Sequence, residues 1–384
     1  MAERLRAVFY RGGTSKAVVF NGADLPADRA TRDAIFLHVM GTPDAYGRQL
    51  NGMGGGLSSV SKVVIIEPSA RDDADVNYTF VQIGVTEAVA DYGSACGNMS
   101  SVVGPFAVDE GMVPVAPDAT EALVRIYSTN MDQIYYSRFP VEKGKALEEG
   151  DFSIPGVSGT GAKIALDFLR PAGAATGKLL PSGNATDLID VSGIGSVEVS
   201  MVDAANPVVF FRAEVVEKTA TERPQDLDAD QELMTKVEAI RRAGAVAMGM
   251  APSLDAVKSS NPKVAMASAP QSFTALDGTE YKADTQDLNV RMVSMGNFHR
   301  AITLTGGMCT AVAAQIPGSL IHAIAKPNST ELRIGNPSGV LPTRADVEHG
   351  PNGINAIAAG TFRTQRRLME GAVLYPSSLR GDAG

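Results

Sequence analysis

Glycine and proline interrupt this chain so often that it must fold from many short elements. The 384 residues include 39 glycines and 21 prolines, the residue types that most often form turns and end helices and strands. Hydrophobic residues make up 44% of the chain, which is globular composition with enough apolar material for two cores. A chain of this length and composition is expected to form two domains of ordinary size, and disorder of the whole chain is excluded.

Strand-like segments outnumber helix-like segments. β-Branched content or alternation predicts strands over residues 62–67, 78–85, 122–127, 163–168, 196–202 and 208–212. Helical periodicity predicts helices over residues 230–242, 287–300 and 305–315. Because strands and helices do not alternate regularly, we predict an α+β fold in which each domain is a curved, mostly antiparallel sheet around a central helix.

A loop-like segment separates the two predicted domains. Residues 170–184 read RPAGAATGKLLPSGN, with no periodicity of either kind. We therefore expect an N-terminal domain over residues 1–184 and a C-terminal domain over residues 185–384.

The charge balance and the apolar runs argue against two classes of partner. There are 34 Lys and Arg against 43 Asp and Glu, a net charge of −9, which disfavours a nucleic-acid or anionic-membrane surface. No stretch approaches 18 apolar residues, and the first residues lack an apolar run of signal-peptide length. We expect a soluble cytoplasmic protein that binds neither nucleic acid nor a membrane.

The cysteines and histidines do not form a metal-site pattern. Cys96 and Cys309 are the two cysteines, far apart in sequence, which argues against a disulfide scaffold and excludes a Cys-rich zinc site. The four histidines show no ligand spacing. We expect no metal and no cofactor, since no flavin or dinucleotide motif is present either.

Two glycine-rich segments in the first half supply candidate polar groups. Residues 11–16 (RGGTSK) follow a short apolar strand, and their glycines let backbone N–H groups approach a ligand, although a tight turn explains them equally well. Three further glycines, residues 54–56, precede Lys62 at the start of an apolar strand. A lysine there is usually solvated, but if it is desolvated its pKa falls and it becomes a usable base. Ser59 and Lys62 match S-x-x-K, which we reject as a serine-nucleophile motif because a strand follows.

Cys96 is the candidate reactive thiol. It lies among glycines in residues 93–101 (GSACGNMSS), before a run with a helical face. The N–H groups and the dipole of a helix N-terminus favour a thiolate or a bound carboxylate. A small buried hydrophobe is the alternative for a free cysteine.

Two further anion sites are predicted in the second half. Arg291, Met295 and His299 have helical spacing within residues 287–300, so Arg291 and His299 would hold a carboxylate from one face, unless this is a salt-bridged surface face. Gly306 and Gly307 open the next predicted helix and would present N–H groups. A lysine and a thiol beside anion sites can perform proton transfer at carbon without a cofactor.

At this point the sequence resembles a known family. RGGTSK, YGRQLNGMGGGLSSVSK, DYGSACGNMSSVVGPFAVDEG, LPSGN, SMGNFHRA, IPGS and NPSG occur here in the order typical of PrpF-type isomerases, from residue 9 to the C-terminal region. The resemblance implies a fold similar to diaminopimelate epimerase, with two related lobes and the active site between them. It also implies that the last segment packs back on the first lobe.

The resemblance implies an activity as well. Members isomerise unsaturated carboxylates such as 2-methylaconitate, aconitate, methylitaconate and 4-oxalomesaconate by moving a proton across an allylic system. By motif, Lys62 is the implied base and Cys96 the implied acid. The candidate substrate contacts are Thr14, Ser15, Lys16, Ser59, Gly97, Asn98, Arg291, His299, Gly306 and Gly307. An unsaturated di- or tricarboxylate is the expected substrate, with aconitate or 2-methylaconitate preferred.

Two alternatives stay open at this stage. A racemase or epimerase would use Cys96 and Cys309 as paired thiols, although we favour a packing role for Cys309. A non-catalytic accessory protein would bind an aconitase-like dehydratase or its ligand. A homodimer and a functional association with such a dehydratase are also left open.

Overall fold

The computed structural model describes residues 2–93, 96–154, 156–258, 261–294, 296–327, 329–351 and 353–379. The strands are β1 Ala2–Gly12, β2 Ser15–Asn21, β3 Lys62–Pro68, β4 Val76–Ile83, β5 Ala90–Asp91, β6 Glu121–Ser128, β7 Gln133–Glu142, β8 Lys145–Ala146, β9 Ile164–Leu169, β10 Asp187–Val191, β11 Gly195–Ala204, β12 Asn206–Arg212, β13 Lys263–Ser268, β14 Phe273–Thr274, β15 Glu280–Tyr281, β16 Leu288–Ser294, β17 Asn297–Phe298, β18 Glu331–Asn336, β19 Gly339–Gly350, β20 Gly353–Arg363 and β21 Gln365–Pro376. The helices are α1 Arg29–Met40, α2 Ser100–Asp109, α3 Pro224–Ala229, α4 Gln231–Ala247, α5 Leu304–Ala314 and α6 Leu320–Ala325.

The chain divides into two compact units. The first unit comprises the described residues of 1–167 and of 362–384, and the second comprises those of 168–361. The first boundary between the two units therefore follows residue 167, whereas the sequence analysis places the boundary between the two domains after residue 184. The last segment belongs to the first unit because β21 pairs with β1 along eleven residue positions.

The first unit is a mixed sheet around helix α2. Its strands pair in the order β21, β1, β2, β3, β4, β6 and β7, with the β2–β3 and β4–β6 pairs parallel and the others antiparallel. Helix α2 contacts strands β1, β4, β6, β7, β8 and β21. Residues 100–108 of this helix are all buried, so the sheet curls around α2. Helix α1 covers the opposite face, where Ile35, Phe36 and Met40 join the core.

The second unit is a mixed sheet with helices on both faces. Its strands pair in the order β10, β11, β12, β13, β16, β18 and β19, with the β12–β13 and β16–β18 pairs parallel. Helix α5, buried over residues 306–314, contacts β11, β12, β18 and β19. Helix α4 packs on the other face through Leu233, Val237 and Ile240.

The two units share one pattern of strand pairing. In the first, β2 runs parallel to β3, β3 antiparallel to β4, and β4 parallel to β6. In the second, β12, β13, β16 and β18 repeat the same sequence of directions. A buried helix, α2 or α5, precedes the last strand of each set. Each unit is thus a mostly antiparallel curled sheet around a central helix, and the predicted α+β class is confirmed.

Most predicted elements are present. The strands predicted from β-branched content correspond to β3, β4, β6, β9, β11 and β12, and two of the three predicted helices correspond to α4 and α5. Asp230 is the N-cap of α4, because its side chain accepts a hydrogen bond from the Leu233 N–H at 3.0 Å.

The helix predicted over residues 287–300 is wrong. Leu288–Ser294 is strand β16, and the side chains of residues 288–293 are buried on both faces of the sheet. Leu288, Val290 and Met292 enter one core, whereas Val293 enters the other. Leu288, Asn289, Val290, Arg291 and Met292 alternate apolar and polar residues with the period of a strand, and the polar side chains are buried as well. The helical spacing of Arg291 and His299 extends past the end of this strand and is coincidental. Met295, the middle residue of the predicted helical face, lies outside the described residues.

Within the described ranges, no helix has the length and apolar character needed to cross a membrane.

A substitution in α2 tests the enclosure of this helix. A Cβ atom on Gly104 would lie 2.6 Å from Cε1 of Phe139 and 2.8 Å from Oγ of Ser137. Alanine at an open helical position gains about 0.5–1 kcal/mol over glycine, but overpacking costs about 1–3 kcal/mol. We therefore expect Gly104→Ala to lower the free energy of unfolding, measured by urea denaturation. Thr235→Ala, at an exposed position of α4, is the control and should change the free energy of unfolding little. Equal stability of the two variants would contradict the enclosure of α2.

Candidate active site

Lys62 is a buried lysine at the first position of β3. Its residue is 6% exposed, and its Nζ atom donates a hydrogen bond to Oε1 of Gln82 at 2.6 Å. The pairing of β3 with β4 places Lys62 opposite Gln82. The Nζ atom also lies 5.1 Å from the centre of the Phe80 ring. The lysine is therefore removed from water and held by a neutral acceptor.

This environment favours the neutral amine. Burial lowers the pKa of Lys62, and the nearby Cys96 acts in the opposite direction because a thiolate attracts the ammonium. The two side chains are close enough for their charges to interact. Of the two possibilities that the sequence leaves open for Lys62, a solvated strand end and a desolvated amine, the structure shows the buried one, and the charge of Cys96 acts on it.

Cys96 lies in the turn that leads into α2. Its carbonyl oxygen accepts hydrogen bonds from the Ser100 N–H at 2.9 Å, the Ser100 hydroxyl at 3.1 Å and the Tyr78 hydroxyl at 3.3 Å. Helix α2 begins at Ser100, so Cys96 precedes the helix by one turn. The thiol is free and partly buried. The positive end of the α2 dipole lies beside it and favours negative charge.

The RGGTSK segment packs against Asn98. A Cβ atom on Gly13 would lie 2.3 Å from Oδ1 of Asn98, and the φ angle of Gly13 is +52°, so only glycine suits this close approach. Asn98 Nδ2 donates to Oγ1 of Thr14 at 3.0 Å. Ser15, which pairs with Gly12, is buried. The glycines of this segment therefore bring Thr14 and Asn98 together.

Lys16 lies on the other face of the β1–β2 hairpin. It pairs with Arg11, and its Nζ atom lies 5.7 Å from the centre of the Phe9 ring. Phe9 packs against the core under α1, not against α2. Side chains alternate between the faces of a strand, so the side chain of Lys16 lies on the opposite face of the sheet from that of Ser15.

Arg363 is a site residue that the sequence did not reveal. Its Nε atom donates to Oδ1 of Asn98 at 3.1 Å, and its NH1 group donates to the Phe362 carbonyl at 2.8 Å. Burial lowers the pKa of Arg363 to about 10, and the nearby Cys96 opposes this effect. Arg363 therefore places a positive charge near the thiol. Arg363 is the last residue of strand β20 and lies outside every motif, so no local signal in the sequence marks it.

The glycines before Lys62 surround a glutamine. A Cβ atom on Gly54 would lie 2.3 Å from the side-chain amide of Gln49. Gln49 is 1% exposed, and its Oε1 atom accepts hydrogen bonds from the Gly56 N–H at 3.0 Å and from the Ser61 hydroxyl at 2.6 Å. This network supports the turn before Lys62. Ser59 lies in the same short 3₁₀ turn, partly buried, and β3 follows it as predicted.

Arg291 does not lie on a helix face with His299. It is 1% exposed in strand β16, and its guanidinium donates to the carbonyl oxygens of Glu222 at 2.8 Å and of its neighbour Val290 at 3.0 Å. The ring of Phe273 covers it at 5.6 Å. These contacts are structural, and they correct the predicted arrangement of Arg291 and His299.

The remaining predicted groups of the second unit have partners of their own. The ring Nδ1 of His299 lies 2.5 Å from the Ala301 carbonyl. The Gly306 N–H donates to the Thr303 hydroxyl at 3.1 Å, and the Gly307 N–H donates to the Thr303 carbonyl at 2.8 Å. Thr303 is thus the N-cap of α5, and it occupies both N–H groups predicted to bind an anion.

Cys309 is a core residue. It is fully buried in the middle of α5, and its thiol donates to the Val202 carbonyl at 3.4 Å. Burial raises the pKa of Cys309 far above its ordinary value, so the reactive thiolate is disfavoured. These contacts favour the packing role over a two-cysteine mechanism.

The site in the first unit combines four kinds of group. It has a desolvated amine, a free thiol, a partly buried guanidinium and the N-terminus of α2. No described residue accepts a hydrogen bond from the backbone N–H of Gly97 or Asn98. Among the residues that the structure describes, no three His, Cys, Asp or Glu side chains cluster in the manner of a metal site. This arrangement is suited to moving a proton beside a bound carboxylate.

Comparisons with known proteins agree with this chemistry. A family model described as PrpF protein matches residues 2–376. The chain is 39% identical over 376 residues to the 3-methylitaconate isomerase of Eubacterium barkeri, covering 96% of this chain and 97% of that protein. It is 36% identical over 385 residues to the 2-methyl-aconitate isomerase of Shewanella oneidensis, covering 97% of each. A crystal structure of methylitaconate-delta-isomerase superposes with a TM-score of 0.90 at 38% identity, covering 100% of this chain and 98% of that one.

The burial of Lys62 has a pH signature in stability. Because the folded pKa lies below the ordinary 10.5, the unfolded chain binds the proton more readily, and stability is gained as the pH rises from the folded pKa to 10.5. We expect the unfolding free energy of the wild type to rise relative to that of Lys62→Met over this alkaline range. Urea unfolding at several pH values measures the difference. A difference that stays constant with pH would show that the amine is not desolvated.

Proposed function

Because the chain belongs to the PrpF family, we propose that it moves a proton across the allylic system of an unsaturated di- or tricarboxylate without a cofactor. The observation that carries the proposal is the desolvated amine of Lys62 beside the free thiol of Cys96. Relatives named for 3-methylitaconate and 2-methyl-aconitate support this substrate class. We take 2-methylaconitate or aconitate as the first substrates to test.

The reaction needs one base and one acid. The neutral Nζ atom of Lys62 removes a proton from the carbon next to the double bond, and the electron pair spreads into a dienolate. The Cys96 thiol then donates its proton to the far carbon of the allylic system. The double bond shifts or changes geometry, leaving an ammonium on Lys62 and a thiolate on Cys96. Transfer of one proton from the ammonium to the thiolate restores the starting state.

The dienolate requires stabilisation of its negative charge. We assign a carboxylate of the substrate to the backbone N–H groups of Gly97 and Asn98, which lie in the turn before α2. Arg363 adds a positive charge on the same side as Cys96. Donors fixed in position before the reaction need no reorganisation as charge develops, and this is commonly the largest contribution to rate.

We propose a reducing compartment such as the cytoplasm for this enzyme. The mechanism requires Cys96 as a free thiol, and both cysteines are free in the structure. Oxidation would remove the proton that the second step delivers. A homodimer and a dehydratase partner stay predictions of the sequence.

Proton NMR in D₂O tests the proposed function. The purified protein, without added metal or cofactor, is mixed with cis- and trans-aconitate, 2-methylaconitate, methylitaconate and oxalomesaconate. We expect migration of vinyl or methylene signals for one of them. Lys62→Ala and Cys96→Ala should each lower kcat by about 10²–10⁴-fold, the usual contribution of a general acid or base.

Cys309→Ala is the matched control for the cysteine variant. It should retain activity, because Cys309 is a core residue. Loss of activity in Cys309→Ala with an unchanged melting temperature, together with an active Lys62→Ala, would favour the two-cysteine mechanism. No signal change and no deuterium uptake across the panel would refute the proposed isomerase.

Arg363 gives a further prediction. Arg363→Lys keeps the charge but loses the planar fork and the hydrogen bond to Asn98, so we expect KM to rise about tenfold, the cost of one hydrogen bond to a charged group. Steady-state kinetics measure this change. Arg366→Lys, an exposed position on β21, is the control and should leave KM unaltered. Equal KM values for both variants would remove Arg363 from the site.

A further inference from the structure

The partner of Lys62 is a glutamine with a fixed orientation. Gln82 lies directly opposite Lys62 in the β3–β4 pair. Its Nε2 atom donates to the carbonyl oxygens of Ser61 at 3.0 Å, Ser58 at 3.1 Å and Ile83 at 3.2 Å. Three acceptors around the amide nitrogen oppose a flip of the amide. The Oε1 atom therefore has to face the lysine.

This oxygen accepts a hydrogen bond from either protonation state of the amine. At 2.6 Å from Nζ it restricts where the amine points, and the Phe80 ring restricts it from a second direction. A base acts efficiently only when its lone pair is held toward the proton that it removes. Gln82 supplies that restraint through Lys62 without touching a substrate.

The neutrality of this acceptor matters as much as its position. Among the described residues, Cys96 is the titratable group whose charge acts on Lys62. The groups facing the amine from β4 are the amide of Gln82 and the ring of Phe80, and neither carries a charge. A carboxylate in the place of the amide would pair with the ammonium and hold the proton on it.

We propose that Gln82 is the positioning residue that aims Lys62 while leaving it free to lose its proton. The inference rests on the proposed function, in which Lys62 is the base. It adds Gln82 of β4 to the candidate site and explains why this position carries an amide and not a carboxylate.

Two variants separate this role from a merely structural one. Gln82→Glu should move the pKa of Lys62 up by about one to three pH units, as a close opposite charge does. The acid limb of the kcat/KM profile should move up with it, so activity falls about 10-fold or more at neutral pH and recovers on alkalinisation. Gln82→Met should lower kcat about 10- to 100-fold through misplacement and should move the acid limb down, because the ammonium loses its acceptor.

A second readout does not depend on catalysis. The rate at which a small acylating reagent modifies Lys62 is followed against pH by peptide mass spectrometry, and its midpoint reports the pKa of the amine. The midpoint should rise in Gln82→Glu and fall in Gln82→Met. Gln231→Glu, an exposed position at the start of α4, adds the same charge and should change neither activity nor midpoint.

The outcomes distinguish the two proposals. Unmoved midpoints in both Gln82 variants, with or without a loss of melting temperature, would overturn the role of Gln82. Shifted midpoints in a protein that is inactive on the whole substrate panel would sustain the link between Gln82 and Lys62 and refute the isomerase function. If Gln82→Glu fails to fold, Gln82→Met alone decides: wild-type kcat and midpoint would overturn the proposal.

Discussion

The enclosure of α2 by the first unit's sheet is the constraint on which the candidate site depends. The helix is buried along residues 100–108, so it cannot rotate or slide without opening the core. Its N-terminal turn therefore holds Cys96, Gly97 and Asn98 at one place. The hydroxyls of Tyr78 and Tyr135, buried under this turn, donate to the carbonyl oxygens of Cys96 and Ser100. Apolar packing thus fixes the polar groups.

Two cations near Cys96, Lys62 and Arg363, donate hydrogen bonds to uncharged groups. Lys62 is paired with an amide, and Arg363 with an amide and a carbonyl, so neither contact neutralises a cation. Elsewhere in the same unit, Arg367 binds the buried Glu110 at 2.7 Å in an ordinary ion pair. A buried lysine that donates to a neutral amide, as Lys62 does, is costly for folding.

The two units share one pattern of strand pairing but differ in the residues around the N-terminal end of the central helix. In the first unit, the turn before the central helix carries Cys96, and the strand partner of Lys62 carries Gln82. In the second, the cysteine lies inside the central helix α5 and donates to a backbone carbonyl, and the N-cap Thr303 uses the helix N–H groups itself. The second unit thus shares the pairing pattern but holds its cysteine fully buried, whereas Cys96 is partly buried, so the candidate catalytic groups are local additions to a shared architecture.

The residues alone were enough to predict the PrpF family, the α+β class and most strands, and they single out Lys62 and Cys96 as the candidate acid–base pair. These rest on local periodicity or on contiguous motifs, which one stretch of chain carries. The folded structure was needed to bring Arg363 next to Asn98 and Gln82 next to Lys62, and to show that Arg291 is buried in a strand. The contacts of Arg363 and Gln82 join segments that are separate in the chain and leave no local pattern in the sequence. The burial of Arg291 depends on packing of both faces of the sheet, which a polar residue in a short strand does not indicate.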